Sequence, residues 1–319
     1  MTRSDRAKSA PRGLVLLAFA AVYLIWGSTY LGIRFAVETL PPFLMGGARF
    51  LTAGAVLYGL LRATGHPRPA RGTWGNAAVI GALLLGIGNG GVNWAEQKVT
   101  SGMTALIIAG TPLWFALFDW LRPHGTRPSW QTVLGIGIGF MGVTILVGAR
   151  PTTPRDAHAQ WPAVASLLAA SMAWASGSLY SKYTARTDAP LMNTAQQMIL
   201  GGMVLILGGV ALGEPSAFRW AKVSGRSVIA LLYLTFIGSL VGYTAYGYLL
   251  KATTPARAST YAYVNPVIAL FLGWALAHES LNRTMLLAAG VIVLGVIVIT
   301  TRRTPRAVQI PAGPCNELG

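Results

Sequence analysis

The stretch GLVLLAFAAVYLIWGSTYLGI, residues 13–33, decides the fold class. It carries no charged side chain along its whole length. At 1.5 Å rise per residue, roughly 20 apolar residues cross a hydrocarbon core about 30 Å thick. The basic start before it (Arg3, Arg6, Lys8, Arg12) and the Ala18-Phe19-Ala20 triplet imitate a secretory signal. A signal core runs only about 7–15 residues, and this run is longer. It is read as an uncleaved first membrane helix.

Working outward, nine similar segments follow near 42–61, 74–93, 102–121, 130–148, 161–180, 191–212, 228–250, 258–278 and 285–301. The expected fold is all-α: a polytopic membrane protein of ten transmembrane helices. Only 11% of the 319 residues are charged, against about 25% in soluble domains. The connections are short, so neighbouring helices should run antiparallel, with no separate soluble domain.

The chain has 25 Lys and Arg against 9 Asp and Glu. The excess sits mostly in connections, where it reports topology and not a face for nucleic acid. With the N-terminus cytoplasmic, 16 basic residues fall in inside segments and 8 in outside ones. Both termini are therefore expected inside a plasma (bacterial inner) membrane. Cys315 is alone, and His66, His124, His158 and His278 show no metal-ligand spacing. The sequence therefore offers no metal site and no cofactor motif. It has no paired acid and base groups for catalysis, so an enzyme is not expected. The expected partners are the lipid bilayer and a small-molecule substrate, not nucleic acid, and a monomeric unit is compatible with this.

An internal repeat adds symmetry to the count. A shift of 148 residues brings Trp26-Gly27-Ser28 onto Trp174-Ala175-Ser176, Arg34 onto Lys182, Pro42 onto Pro190 and Arg49 onto Gln197. Shifts of 153–154 bring Lys98 onto Lys251, Pro112 onto Pro266 and Trp120 onto Trp274. Each match is weak, but their order and offset are nearly constant. The expected organisation is a 5+5 inverted repeat: a tail at 1–12, a first repeat at 13–149, a second at 161–301, and a tail at 302–319. Five helices per repeat make the second half enter from the opposite side. This is a recurring device of secondary transporters, though duplication can also serve only to build a stable bundle.

Several motifs carry a family resemblance. They are Trp26-Gly27-Ser28-Thr29-Tyr30, Pro42 with Arg49-Phe50, Thr111-Pro112 and the run Ser259-Thr260-Tyr261-Ala262-Tyr263-Val264-Asn265-Pro266. Together they resemble the EamA family of the drug/metabolite transporter superfamily. The run Gly86-Ile87-Gly88-Asn89-Gly90-Gly91-Val92-Asn93 looks most like its YedA-type branch. The resemblance implies a ten-helix basket, a central cavity and export of small metabolites such as amino acids, by alternating access. Export of drugs or hydrophobic cations is the alternative, and a channel a further one. Gln197 and Ala175 depart from the repeat pattern, so the halves need not be chemically equivalent.

Polar groups inside apolar segments are costly, and so are site candidates. Arg49 could hold a substrate carboxylate bidentately; it could instead snorkel, or pair with Glu38 or Glu96. Asn89 and Asn93 share a helix face, as cavity groups or as interhelical amides. Tyr243, Tyr246, Tyr261 and Tyr263 could line a cavity for amphipathic or cationic molecules, or belong to an interfacial belt. Asn265 lies deeper. Pro112 and Pro266 should break helices four and nine at equivalent places, marking a central site or hinge. Trp26 with Ser28, and Trp174 with Ser176, are candidate gates at opposite ends, or else belt residues. Glu38, Glu96, Asp119, Glu214 and Glu279 all fall at helix ends or in loops. No acid is expected mid-membrane, which argues for facilitated export without a buried carboxylate relay.

Overall fold

In the computed structural model, the described residues are 11–122, 129–148, 154–184, 189–252 and 261–300. They form ten long helical elements: α1 Arg12–Ala36, α2 Pro42–Ala63, α3 Thr73–Ala95, α4 Ser101–Leu121, α5 Trp130–Gly148, α6 Pro154–Thr184, α7 Pro190–Ala211, α8 from Gly225 to Ala252, α9 Tyr261–Ala277 and α10 Arg283–Thr300. Seven of them are long and apolar enough to cross a membrane. In the other three the apolar helix is shorter: Trp130–Ile145, Val264–Ala277 and Arg283–Gly295.

The packing is that of a bundle in an apolar solvent. Leu16, Leu17, Leu207 and Leu287 are all exposed by 65% or more, whereas Arg49, Asn93, Glu96, Ser171, Gln196 and Asn265 are buried. Lipid tails are as apolar as leucine, so close van der Waals approach must hold the helices together. Small residues permit it. A Cβ on Gly202 of α7 would lie 2.8 Å from the Leu51 backbone nitrogen of α2. One on Gly295 of α10 would lie 2.6 Å from the Gly139 nitrogen of α5. Gly137 and Gly290, matched by the repeat, face open space instead.

The first end of the bundle, where α1 begins, is here called the Arg12 end; the other is the Ala95 end. Two second-half carboxylates tie down first-half helices at the Ala95 end. Glu214 accepts from the Phe43 and Leu44 amides at 3.1 and 2.8 Å, capping α2. Glu279 accepts from the Ser101 and Gly102 amides at 2.9 and 3.2 Å and from the Ser101 hydroxyl at 3.0 Å, capping α4. Both complete donors that a helix start leaves unpaired.

Three helices are irregular. α4 breaks between Ile108 and Thr111, where Pro112 enters the first turn of its second half. α9 runs unbroken through Pro266, so the expected pair of equivalent breaks reduces to one. Pro266 removes a single N–H from the ladder, toward the carbonyl at 262, a loss that membrane helices tolerate through neighbouring helices and local adjustment of the backbone. α3 and α8 each contain a π-helical stretch, Ala82–Asn89 and Tyr233–Val241. Such bulges free backbone groups and recur at functional sites.

Candidate functional site

The π stretch of α3 borders a cavity of about 450 Å³, and that of α8 is bonded to two of the side chains that line it. From α8, the Gly238 carbonyl accepts from the Trp26 Nε1 at 3.3 Å, and the Ser239 hydroxyl accepts from the Arg49 Nε at 3.0 Å. From α3, Gly88 and Asn89 line the wall, and the Asn89 amide turns back to the Leu84 carbonyl at 3.2 Å.

Arg49 is 4% exposed, and its Nη1 has no hydrogen-bond partner. It neither snorkels nor pairs with a carboxylate; the described ion pairs are Arg122–Asp119 and Arg226–Glu38. Its cation lies 4.6 Å from the Phe50 ring centre. On the same cavity, Asn265 is 6% exposed and its Oδ1 is also without a partner. The cavity lining thus includes an unmet donor and an unmet acceptor.

The lining also holds an aromatic cluster. The Trp26 ring lies 5.3 Å from Tyr243, 5.0 Å from Tyr246 and 4.9 Å from Tyr261, centre to centre. Trp26, Tyr243 and Tyr261 line the cavity, whereas Tyr246 packs behind them. The side chain of Tyr263 lies outside the described residues. Trp174, Pro112 and Pro266 also line the wall. Ser28 and Ser176 do not; Ser28 shares a 2.5 Å hydrogen bond with Tyr233. Asn93 is buried away from the cavity and donates to the Pro42 carbonyl at 3.2 Å, an interhelical amide bond.

The cavity extends toward the Arg12 end, where it reaches Asp119 and the exposed Lys182. Toward the Ala95 end it stops at Ile33 and Val92. Beyond them Ala36, Val37, Ala95, Val99 and Leu167 form a dry plug. Arg34 closes over this plug by donating to the Glu96 carbonyl at 2.5 Å.

The sequence profile of the EamA-like transporter family matches residues 13–148 and again 161–301. The chain belongs to the EamA-like transporter family. It is a membrane transporter of that family. Among its relatives is the inner membrane transporter YedA of Escherichia coli (strain K12), 40% identical over 286 residues, 89% of each chain. The transporter YoaV of Bacillus subtilis (strain 168) is 24% identical over 90% of this chain and 96% of its own. A protein of known crystal structure shares the fold at a TM-score of 0.62, with 21% identity over 91% of this chain and 96% of its own.

For this EamA-like chain, sequence reasoning missed four side chains. Ser239 fixes Arg49, but a serine in an apolar run usually bonds its own helix and carries no signal. Tyr30 lines the cavity beside Trp26, and its place in the Trp-Gly-Ser-Thr-Tyr motif was the available clue. Asp119 and Lys182 mark the mouth, though both read as helix-end charges. Lys182, which the sequence offset matches to Arg34, sits at the opposite end of the bundle from it.

Proposed function

We propose that this chain is a ten-span exporter of zwitterionic small metabolites, amino acids foremost. It works by alternating access as a 5+5 inverted repeat in the bacterial inner membrane, with both termini cytoplasmic. The observation that carries the substrate class is the buried, unpartnered Arg49 Nη1 facing the same cavity as the unpartnered Asn265 Oδ1. A carboxylate answers the first and an ammonium the second, with the Trp26, Tyr243 and Tyr261 rings beside the cation. A volume of about 450 Å³ suits a ligand of amino-acid size.

Several observations support the repeat. The π stretches of α3 and α8 begin at Ala82 and Tyr233, 151 residues apart, close to the offset of the sequence matches. The family profile matches each half. Packing partners also come in pairs: α2 with α7, α5 with α10, and α1 against α9 as α6 against α4. The basic-residue bias puts the Arg12 end in the cytoplasm. The cavity then faces the cytoplasm, as an exporter needs for loading.

The aromatic cluster favours a second reading, export of hydrophobic cations that lack a carboxylate. A transport assay in proteoliposomes with labelled amino acids and a quaternary amine separates the two. Amino acids should move and Arg49→Ala should abolish it, while any amine flux should persist. Equal loss of amine flux in Arg49→Ala would reduce Arg49 to a structural role and leave the cation reading.

A further inference from the structure

Glu96 follows Ala95, the last residue of α3, and reads in sequence as an interfacial charge. In the fold it is 0% exposed, and neither carboxylate oxygen has a hydrogen-bond partner. The other acids of that end whose side chains are described are engaged: Glu214 caps α2, Glu279 caps α4 and Glu38 pairs with Arg226 at 3.5 Å. Arg34, the nearest cation on α1, spends a donor on the Glu96 backbone carbonyl and forms no ion pair with its side chain. An ionised carboxylate without donors is strongly disfavoured in dry surroundings.

Among the described residues, the titratable groups around Glu96 are few. Tyr30 and Arg34 come from α1, Arg49 from α2, and Glu279 from the connection between α9 and α10. α6 contributes Ser166, which is not titratable and bonds the Gly91 carbonyl at 3.1 Å. Among the more distant charges of that end, Lys98 lies over the Trp94 ring and His278 is exposed. Burial first, then Glu279, raises the Glu96 carboxyl well above the ordinary carboxylate range, against the opposing pull of the Arg34 and Arg49 cations and of the Arg34 backbone N–H.

We propose that Glu96 is a proton-binding site that latches the Ala95 end: it holds a proton while that end is closed and gives it to water when that end opens. This rests on the alternating-access reading above. The only bond broken is O–H, and the proton passes to solvent. Opening wets the plug and lets Arg34 turn to the freed carboxylate. A group whose affinity for a proton is higher in the closed state favours closure fully at low pH. That bias is lost as pH rises through the closed-state value. Alkaline conditions on the Ala95 side therefore favour opening.

Two measurements on the full chain in lipid nanodiscs test this without any substrate. Infrared spectra at neutral pH should contain a protonated-carboxyl band that vanishes in Glu96→Gln. A wild type without the band, or a Glu96→Gln that retains it, overturns the proposal. In a Cys315→Ser background, spin labels at Gln97→Cys and Trp220→Cys report the opening of that end. Their separation should lengthen as pH rises, and Glu96→Gln should hold the short distance throughout. Glu96→Asp, which keeps an acid, should retain the transition at a shifted midpoint; this covers a Glu96→Gln protein that does not fold. An identical pH response in wild type and both variants would sink the latch. Since no substrate is used, failure here leaves the amino-acid assay untouched, and failure there leaves the proton site standing.

Discussion

At the scale of single residues, Arg49 holds the argument together. Its Nε donates to Ser239, and its Nη1, which has no partner, is the group proposed to meet a substrate carboxylate. A guanidinium can do both because its donors form a rigid fork; an ammonium cannot. Arg49→Lys should therefore fail to restore carboxylate transport, with KM raised tenfold or more. That corresponds to about 1.5–3 kcal/mol for a hydrogen bond to a charged group. Ser239→Ala should be milder, about 1 kcal/mol, seen as a few-fold rise in KM with little change in maximal rate. A Ser239→Ala protein indistinguishable from wild type would mean that Phe50 and the α8 backbone orient the guanidinium unaided. Arg49 was legible in sequence because a cation inside an apolar run is rare and costly. Glu96 was not. A charge one residue past a helix looks interfacial, and only the packing of α1, α2 and α4 around it removes the water.

At the scale of helices, contacts between small residues set the distances. Gly202 presses on the α2 backbone, whereas Gly290 faces open space. Gly202→Val should destabilise by about 1–3 kcal/mol through overpacking. Gly290→Val should leave the melting temperature in detergent unchanged. Equal effects would mean that valine perturbs the helices themselves, not the α2–α7 contact. Glu214→Ala should cost about 1 kcal/mol by uncapping α2, visible as a lower melting temperature. The existence of the helices was legible from apolar runs, and the break in α4 from Thr111-Pro112. The π stretches were not: they insert a residue into the turn without any proline to announce it. Asn93 followed its alternative reading as an interhelical amide, because the close approach of α2 at Gly46 leaves its side chain only the Pro42 carbonyl.

At the scale of the whole molecule, the proposed inverted repeat makes the two ends the same device in two conditions. Under that proposal Arg34 and Lys182, 148 residues apart, are mates at opposite ends. Arg34 is engaged over a dry plug, whereas Lys182 is exposed at the mouth of the cavity. If inversion relates the halves, exchanging their conformations would close the cavity beside Lys182 and open it beside Arg34. That geometry gives a sided test. In a Cys315→Ser background, Lys182→Cys should react with a membrane-impermeant thiol reagent in inside-out vesicles and stay unreactive in intact cells. Gln97→Cys, at the Ala95 end, should show the reverse. Labelling of both from one side would exclude α3 and α6 ending on opposite faces, and with it the inverted topology. Labelling of each from the unexpected side would keep the symmetry and reverse the orientation, leaving the cavity loaded from outside and turning the exporter into an importer. If the expected pattern holds, a saturating amino acid should change the two rates in opposite directions. Substrate that drives the exchange withdraws Lys182→Cys from water as it exposes the Arg34 end, and this reciprocity separates a carrier from a channel open at both ends.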